Sequence, residues 1–220
     1  MSKNSGFSLI EILVAMAIGS IAMAAIFLAY QVQVTGKINQ ETVLDRNQDT
    51  RAGLELMASD IRMAGCDPTG SKVAGFVTAT VTPTPTLRVT MDTRSSTGNE
   101  SDGLIDQPGE DIRYTLTAGN IMRERVGTDP AGGVMLVSNV DALDFVYLDT
   151  NNAITTDLTA IKSVQVSIVV HSPPRGLTQS YTDNKSYLNQ QGSQILAPPG
   201  DTLRRLQLST TVQCRNMGVH

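Results

Sequence analysis

The chain has 220 residues, 40% of them hydrophobic and only 4% aromatic, and its 17 Lys and Arg against 21 Asp and Glu give a net charge of −4. An acidic balance without a run of Lys or Arg argues against binding to a phosphate backbone, and the few aromatic residues are too scattered for a base-stacking surface. The sequence also lacks a phosphate-binding glycine loop and a nucleophile elbow. We therefore expect no nucleic-acid partner, no enzyme activity and no cofactor.

The first predicted element is an apolar helix. No charged residue occurs between Glu11 and Lys37, and the stretch from Ile12 to Tyr30 is mostly Ile, Leu, Val, Ala, Met and Phe. As a helix this stretch rises about 29 Å, close to the roughly 30 Å hydrocarbon core of a bilayer. We expect residues 7–34 to span a membrane once, with the N-terminus in the cytoplasm because Lys3 precedes the span.

Two simpler roles compete for this segment. A cleaved secretory signal is one, because Ala22 to Ala25 resemble a small-residue cleavage site, but the apolar run continues past them to Val34. A plain signal anchor is the other, and it does not explain Glu11, since a carboxylate in an inserted helix costs up to about 3 kcal/mol near the bilayer centre. Favourable interaction of Glu11 with the positive end of the helix dipole remains an open explanation.

The string Gly6-Phe7-Ser8-Leu9-Ile10-Glu11 resembles the class III signal of type IV pilins and type II secretion pseudopilins. The resemblance implies that prepilin peptidase cuts after Gly6 and that Phe7 becomes the N-methylated first residue of the mature chain. It also implies that Glu11 pairs with the N-terminal amine of a neighbouring subunit, which offsets the desolvation of both charges. The sequence departs from the family in having Ser5, not a cation, before the glycine, and no kinking proline in the helix.

The helix is predicted to continue through residues 35–65 as an amphipathic second half. This stretch contains no proline. Its apolar positions recur at spacings of three and four: Leu54, Met57, Ala58, Ile61 and Ala64. Gly65, followed by Pro68, predicts where the helix ends.

Strand signals replace helical ones in residues 66–220, the predicted extracytoplasmic domain. The predicted strands are residues 86–91, 111–116, 120–126, 134–137, 143–148, 164–170 and 203–212, separated by turns rich in Gly, Asn, Asp and Pro. The fold class is therefore α+β and pilin-like, with the long N-terminal helix packed on an antiparallel β-sheet. Residues 172–202, rich in Pro, Gln, Ser and Gly, are expected to form a long loop.

Four segments together look like PilW-type minor pilins and are also similar to J-type minor pseudopilins: residues 61–65, 139–147, 164–170 and 204–216. The resemblance implies a minor pilin in the priming or tip complex of a type IV pilus, with prepilin peptidase, other minor and major pilins and the inner membrane as partners. The implied location is the inner membrane, as a single-pass protein with a periplasmic domain, or the pilus tip and cell surface. The alternatives are a minor pseudopilin of type II secretion and a signal-anchored periplasmic binding module.

Cys66 and Cys214 are the only two cysteines, and both fall in the part predicted to lie outside the cytoplasm. A disulfide between them is expected there, with two separate buried thiols as the alternative. The acidic stretch 99–106, with Glu110 and Asp111, offers oxygen ligands for Ca²⁺, but its spacing does not match an EF-hand. A solvated acidic turn is the favoured interpretation, and no metal site is assigned.

Overall fold

The computed structural model describes residues 8–80, 85–95, 98, 100–172 and 181–217, with only the main chain at 35 and 38–46. The predicted leader 1–6, the predicted first mature residue Phe7 and residues 173–180 of the predicted loop lie outside the described residues. The chain forms two compact units, Met1–Asp45 and Arg46–His220. The second unit contains the end of the helix and every described strand.

A long helix opens the described chain, as predicted. Helix α1 runs over Leu9–Met63. Its first part, Leu9–Val34, is 26 residues long with a mean hydropathy of 2.6, and its side chains are exposed. This part is long and apolar enough to cross a bilayer, which indicates a membrane anchor. Gly65 adopts a φ of 75° and donates its N–H to the carbonyl of Thr90 at 3.1 Å, so the chain leaves the helix at the predicted glycine.

The first five strands form an antiparallel sheet in chain order. They are β1 (Phe76–Thr80), β2 (Thr86–Thr90), β3 (Asp111–Thr117), β4 (Asn120–Arg125) and β5 (Val134–Ser138). The sheet order is β1-β2-β3-β4-β5, so each strand pairs with its neighbour in the sequence. Strand β1 is absent from the predicted strands, whereas the other four begin where they were predicted.

The remaining strands form a second and a third sheet. They are β6 (Val140–Leu148), β7 (Ser163–His171), β8 (Tyr187–Leu188), β9 (Gln194–Leu196) and β10 (Arg205–Gln213). The second sheet has the order β10-β7-β6, and β8 pairs with β9 alone. The fold class is confirmed, but the expectation of one sheet is wrong. The expected long loop also contains two short strands, because Tyr187 finds an apolar contact on the second sheet.

A large apolar core joins the end of the helix to both larger sheets. The helix positions predicted to share one face are all buried: Leu54, Met57, Ala58, Ile61 and Ala64. They belong to one cluster with side chains of both sheets, among them Tyr114 of β3 and Phe145 of β6. At Gly53 the helix comes so close to β5 that an added Cβ would collide with the side chain of Val137. The amphipathic face is therefore confirmed, and the missing side chain at Gly53 permits this close packing.

Candidate assembly site

Glu11 lies in the first turn of α1, in the first compact unit. The main-chain N–H groups of Glu11 and Ile12 both donate to the carbonyl of Ser8, at 3.0 and 3.2 Å. The Glu11 side chain is exposed, and it borders a shallow depression lined by Ile12, Ala15 and Met16. A carboxylate on an apolar helix surface needs a charged or hydrogen-bonding partner once the helix is in lipid. Gly6 and Phe7 lie outside the described residues, so the predicted cleavage and methylation remain predictions.

A buried polar network fixes α1 to the first sheet within the second unit. The hydroxyl of Tyr114 donates to the carboxylate of Asp60, and the Arg123 Nε donates to the same oxygen at 2.9 Å. Tyr114 is fully buried, and burial together with the neighbouring Asp60 raises its pKa, so the hydroxyl stays protonated. Since Asp60 accepts a hydrogen bond from a neutral hydroxyl on β3 and pairs with a cation on β4, the network fixes one register of helix against sheet.

A second charged cluster surrounds Arg205 at the start of β10. Its guanidinium, 4% exposed, contacts the carboxylates of Asp141 at 2.7 Å, Asp183 at 3.1 Å and Asp201 at 2.7 Å. The hydrogen bond from Arg205 lowers the pKa of Asp201 to about 2. Burial alone would raise the pKa of Asp183, but hydrogen bonds from Tyr187 and Arg205 lower it overall. We call residues 181–204 the strap, because Arg205 ties both ends of this segment to β6.

The strap covers the outer face of the second sheet through mostly polar contacts. The amide of Asn189 donates to Asp144 at 2.9 Å, and that of Gln191 donates to Gln165 at 2.9 Å. Its apolar contact is small, with Tyr187 packed on Ala142 and Val169. The strap is therefore held by charge and hydrogen bonds, in contrast with the apolar inner face of the same sheet.

The structure of the acidic stretch differs from the predicted solvated turn. Glu110 is fully buried, and its carboxylate accepts hydrogen bonds from the main-chain N–H groups of Thr93, Arg94 and Gln107, at 2.8 to 3.0 Å. The interpretation as a solvated turn is thus wrong at Glu110, because this carboxylate organises the loop from within. Asp92, also buried, accepts from the N–H of Gly103 at 2.7 Å. Within the part of the chain that the structure describes, no three His, Cys, Asp or Glu side chains are placed to hold a metal ion.

The two cysteines are 148 positions apart in the sequence, and both contribute to the apolar core of the second unit: Cys214 belongs to it and Cys66 packs against it. Both are free thiols in this structure, so the predicted disulfide is not formed in it and stays a prediction. Cys66 directly follows Gly65, where an added Cβ would lie 2.8 Å from the sulfur of Met217. Burial raises the pKa of Cys66, with Asp92 adding to the effect, and raises the pKa of Cys214 to about 12. Both thiols are therefore protonated and weakly reactive at neutral pH.

Sequence reasoning missed the two charged clusters. The partners Asp60 and Tyr114 are 54 positions apart, and Arg205 and Asp141 are 64 apart. The spacing of residues along the chain does not reveal pairs that are so far apart in sequence. A local indication of the first cluster was that Asp60 lies in a helical segment otherwise rich in buried apolar positions, where a carboxylate needs a partner.

Comparison with known proteins agrees with this architecture. The family described as the prokaryotic N-terminal methylation motif matches residues 1–27. A type IV-like pilin from Thermus thermophilus is similar in structure, with a TM-score of 0.55, 13% sequence identity, and coverage of 78% of this chain and 98% of that chain. No curated protein matches the chain. The chain therefore carries a prepilin-type motif at the start of a type IV pilin-like fold.

Proposed function

For this type IV pilin-like protein with a prepilin-type N-terminal motif, we propose the function of a minor pilin that takes part in assembling a type IV pilus, in its priming or tip complex. The observation that carries the proposal is the placement of Glu11 in the first turn of an exposed apolar helix, inside the matched motif. In a plain anchor, interaction with the helix dipole offsets only about 0.3–1 kcal/mol of the cost of this carboxylate in lipid. A helix that bundles with others does gain, if each carboxylate meets a cation.

The proposed chemistry is assembly, not catalysis. Prepilin peptidase cuts between Gly6 and Phe7, which frees an amine four positions before Glu11. The amine of one subunit and the Glu11 carboxylate of another then compensate each other's charge in lipid, and a subunit in the wrong register leaves both charges unpaired. Small residues let the helices approach closely enough for this pairing: Ala15, Gly19, Ala22, Ala25 and Ala29.

The second unit supplies the surface that other subunits meet. Its core encloses the end of α1, and the Asp60 network fixes that helix segment on the sheets. The partners we propose are prepilin peptidase, other minor pilins, the major pilin and the inner membrane. The sheet-bearing unit is placed in the periplasm before assembly, and at the pilus tip or cell surface afterwards.

The test is the amount of sheared surface filament from a clean deletion strain, compared with the parent and with a strain complemented by the wild-type gene. The proposal expects a sharp loss that the gene restores, together with N-methyl-Phe7 in the mature protein by mass spectrometry. Substitution Gly6→Val should leave uncut precursor and fail to complement.

Secretion of type II substrates is measured in the same strains. Normal pili with lost secretion would replace the pilus role by the pseudopilus role. Normal pili, normal secretion and an unmethylated, uncut chain would leave the signal-anchored binding module as the better account.

A further inference from the structure

The outer edge of β10 is a long, regular strand edge. β10 lies at the end of the order β10-β7-β6 and pairs with β7 over nine consecutive positions without a register shift, from Arg205↔His171 to Gln213↔Ser163. A strand edge exposes main-chain N–H and C=O groups that can pair with another strand. The length and regularity of this edge make it suited to such pairing.

The pairing pattern identifies which residues point outward. The N–H of Ser172 donates to the carbonyl of Arg204 at 2.9 Å, and that of Cys214 donates to the carbonyl of Lys162 at 2.8 Å. In an antiparallel pair, hydrogen-bonded positions alternate with positions whose main-chain groups point away from the partner. The even-numbered residues of β10 therefore bond to β7, and the odd-numbered ones turn their N–H and C=O outward. Within the described residues, no main-chain partner occupies these outward groups.

The other sheet edges are shorter or interrupted. β1 and β5 have five residues each, and a register shift interrupts the pairing of each with its neighbour. β6 also has a register shift, and the N–H of Thr155 already occupies its Tyr147 carbonyl. Such irregularities protect an edge from strand addition, as do Lys and Pro, and β10 contains neither residue.

The side chains along the edge indicate what kind of strand fits. Leu206 and Leu208 pack on the apolar core but are only half buried, because no further strand among the described residues covers them. On the opposite face the side chains after Arg205 are neutral: Gln207, Ser209, Thr211 and Gln213. Two of them already bond to the strap, Gln207 to the carbonyl of Leu188 at 2.5 Å and Thr211 to the side chain of Gln190 at 2.8 Å. The one charged residue in the strand, Arg205, is already bound by three carboxylates. An added strand therefore needs apolar side chains on the core-facing side and uncharged polar ones on the other.

We infer that the edge of β10 binds an extended strand of a neighbouring pilin-like subunit, so that the second sheet continues from one subunit into the next. The inference rests on the proposed function, since it makes the partner a subunit of the same assembly. A β10–β10 pair with a second copy of this chain does not fit a filament. A symmetric β10–β10 pair would reverse one copy relative to the other within the sheet plane, whereas subunits of one filament share one polarity.

The test compares Ser209→Pro with Ser209→Ala in the full-length chain, expressed in the deletion strain. Proline removes the outward N–H at the middle of the edge, and proline is tolerated where an edge-strand N–H faces away from its sheet. Alanine loses only the hydroxyl that bonds Ser167. We expect both variants to be cut and methylated, and Ser209→Pro alone to lower surface filament by about tenfold, the effect of losing one or two hydrogen bonds at an interface.

A second pair of variants, at Thr211, tests the same edge in case Ser209→Pro does not fold. Thr211→Lys keeps the main chain and adds a charge at the edge; its control is Thr211→Val, which likewise loses the hydroxyl that bonds Gln190 of the strap but adds no charge. In parallel, a photoreactive residue at Gln213, and at exposed Asn151 as the control position, reports the neighbour directly by mass spectrometry. The expected product is a cross-link to a pilin-like protein at position 213 only, lost in the Thr211→Lys chain.

Each other outcome overturns the edge proposal. These outcomes are full filament levels with Thr211→Lys, a cross-link to a second copy of this chain, a cross-link to a protein that is not pilin-like, and no cross-link in a strain with normal pili. Failure of the proposed function is recognised separately, because it appears in the deletion strain and in the methylation state of Phe7 before any edge variant is made.

Discussion

The hydroxyl of Tyr114 on β3 donates a hydrogen bond to the carboxylate of Asp60 on α1, across 54 positions of sequence. Arg123 on β4 contacts the same carboxylate at 2.9 Å. A helix that packs on a sheet only through apolar side chains can slide or rotate with a modest change in free energy. The buried carboxylate removes that freedom, because only one position of the helix satisfies all three groups.

Asp60→Ala is expected to lower the free energy of unfolding by about 3 kcal/mol, since it leaves the charge of half-buried Arg123 and the hydroxyl of Tyr114 without their partner. Tyr114→Phe should cost about 1 kcal/mol, the usual net value of one hydrogen bond. The measurement is urea unfolding of the full chain in detergent, followed by circular dichroism. Glu55→Ala, an exposed acid on the same helix, is the control and should stay within about 0.5 kcal/mol of the parent. Equal effects of Asp60→Ala and Glu55→Ala would contradict the assigned role.

Gly53→Ala is expected to destabilise the second unit by about 1–3 kcal/mol, although alanine favours helix by about 1 kcal/mol, because the new Cβ meets the packed Val137 side chain. Gly36→Ala makes the same chemical change in the same helix, where an added Cβ has nothing within 4 Å. It should not reduce stability. Thermal unfolding of both variants decides the matter, and a stabilising Gly53→Ala would show that β5 can move aside.

Arg205→Ala is expected to detach the strap while the rest of the second unit stays folded. Removing one partner from a buried charge cluster costs about 3 kcal/mol, and the strap has little apolar contact to replace it. Trypsin cleavage after exposed Lys185 at neutral pH measures the opening, with Arg215→Ala as the exposed control. Unchanged cleavage in the Arg205→Ala chain would show that Tyr187 and the hydrogen bonds of Asn189 and Gln191 hold the strap without Arg205.

The same cluster predicts a response to acid. The folded-state pKa of Asp201 is about 2, below the value of about 3.9 for an unfolded aspartate. A group with a lowered folded-state pKa contributes stability above its unfolded pKa, and the contribution is lost as the pH falls through the folded one. The strap should therefore stay docked at pH 5 and open between about pH 4 and 2. Peptic cleavage within residues 181–204 across this range checks it, and a strap that is already cut at pH 5 or still resists cleavage at pH 2 would refute it.

Glu11→Gln and Glu11→Ala are expected to leave cleavage and methylation intact and to lower surface filament by at least about tenfold, because the neighbouring amine would stay unpaired in lipid. Gln31→Ala, an exposed polar change on the same helix, is the matched control. Sheared filament and N-methyl-Phe7 are measured together. Full filament levels with Glu11→Gln would mean that the carboxylate charge has no part in assembly.

Differential alkylation of the mature protein, with and without reductant, tests the Cys66–Cys214 disulfide. If the two are joined outside the cytoplasm, alkylation requires reductant, and Cys66→Ser and Cys214→Ser each lower stability by the same amount, up to about 5 kcal/mol. The double variant should then be no worse than either single one. Alkylation without reductant in the denatured protein would establish two free thiols, as this structure has them.

The helix and most strands were predictable because their signals are local. The apolar run, the absence of proline and the Gly65 stop predict α1 nearly to its observed bounds. The alternation of apolar and polar residues predicts β3, and the run of β-branched residues around Val166 predicts β7. Strand β1 was not predicted, because its sequence, Phe-Val-Thr-Ala-Thr, is short and its strand conformation depends on pairing with β2.

The parts that escaped prediction depend on distant partners. The strap is polar and contains prolines, so its sequence favours loop, and only Arg205 and the outer face of β6 and β7 give it a fixed path. From its sequence, Glu110 is expected to be a surface acid, whereas the fold places three main-chain N–H donors around its carboxylate. For the strap, and for two of the three donors to Glu110, Thr93 and Arg94, the stabilising groups lie on other segments of the chain, and local spacing does not indicate them.

The contact between the helix end and residues 216–217 bears on the order in which the second unit folds during synthesis. The side-chain amide of Asn216 lies 3.4 Å from the carbonyl of Arg62, 154 positions earlier, and Met217 packs beside Gly65. A nascent chain exposes the apolar face of α1 long before β10 and these residues are synthesised. The sheet-bearing unit can close only after synthesis has passed them, so the helix face stays open to wrong contacts for the whole interval.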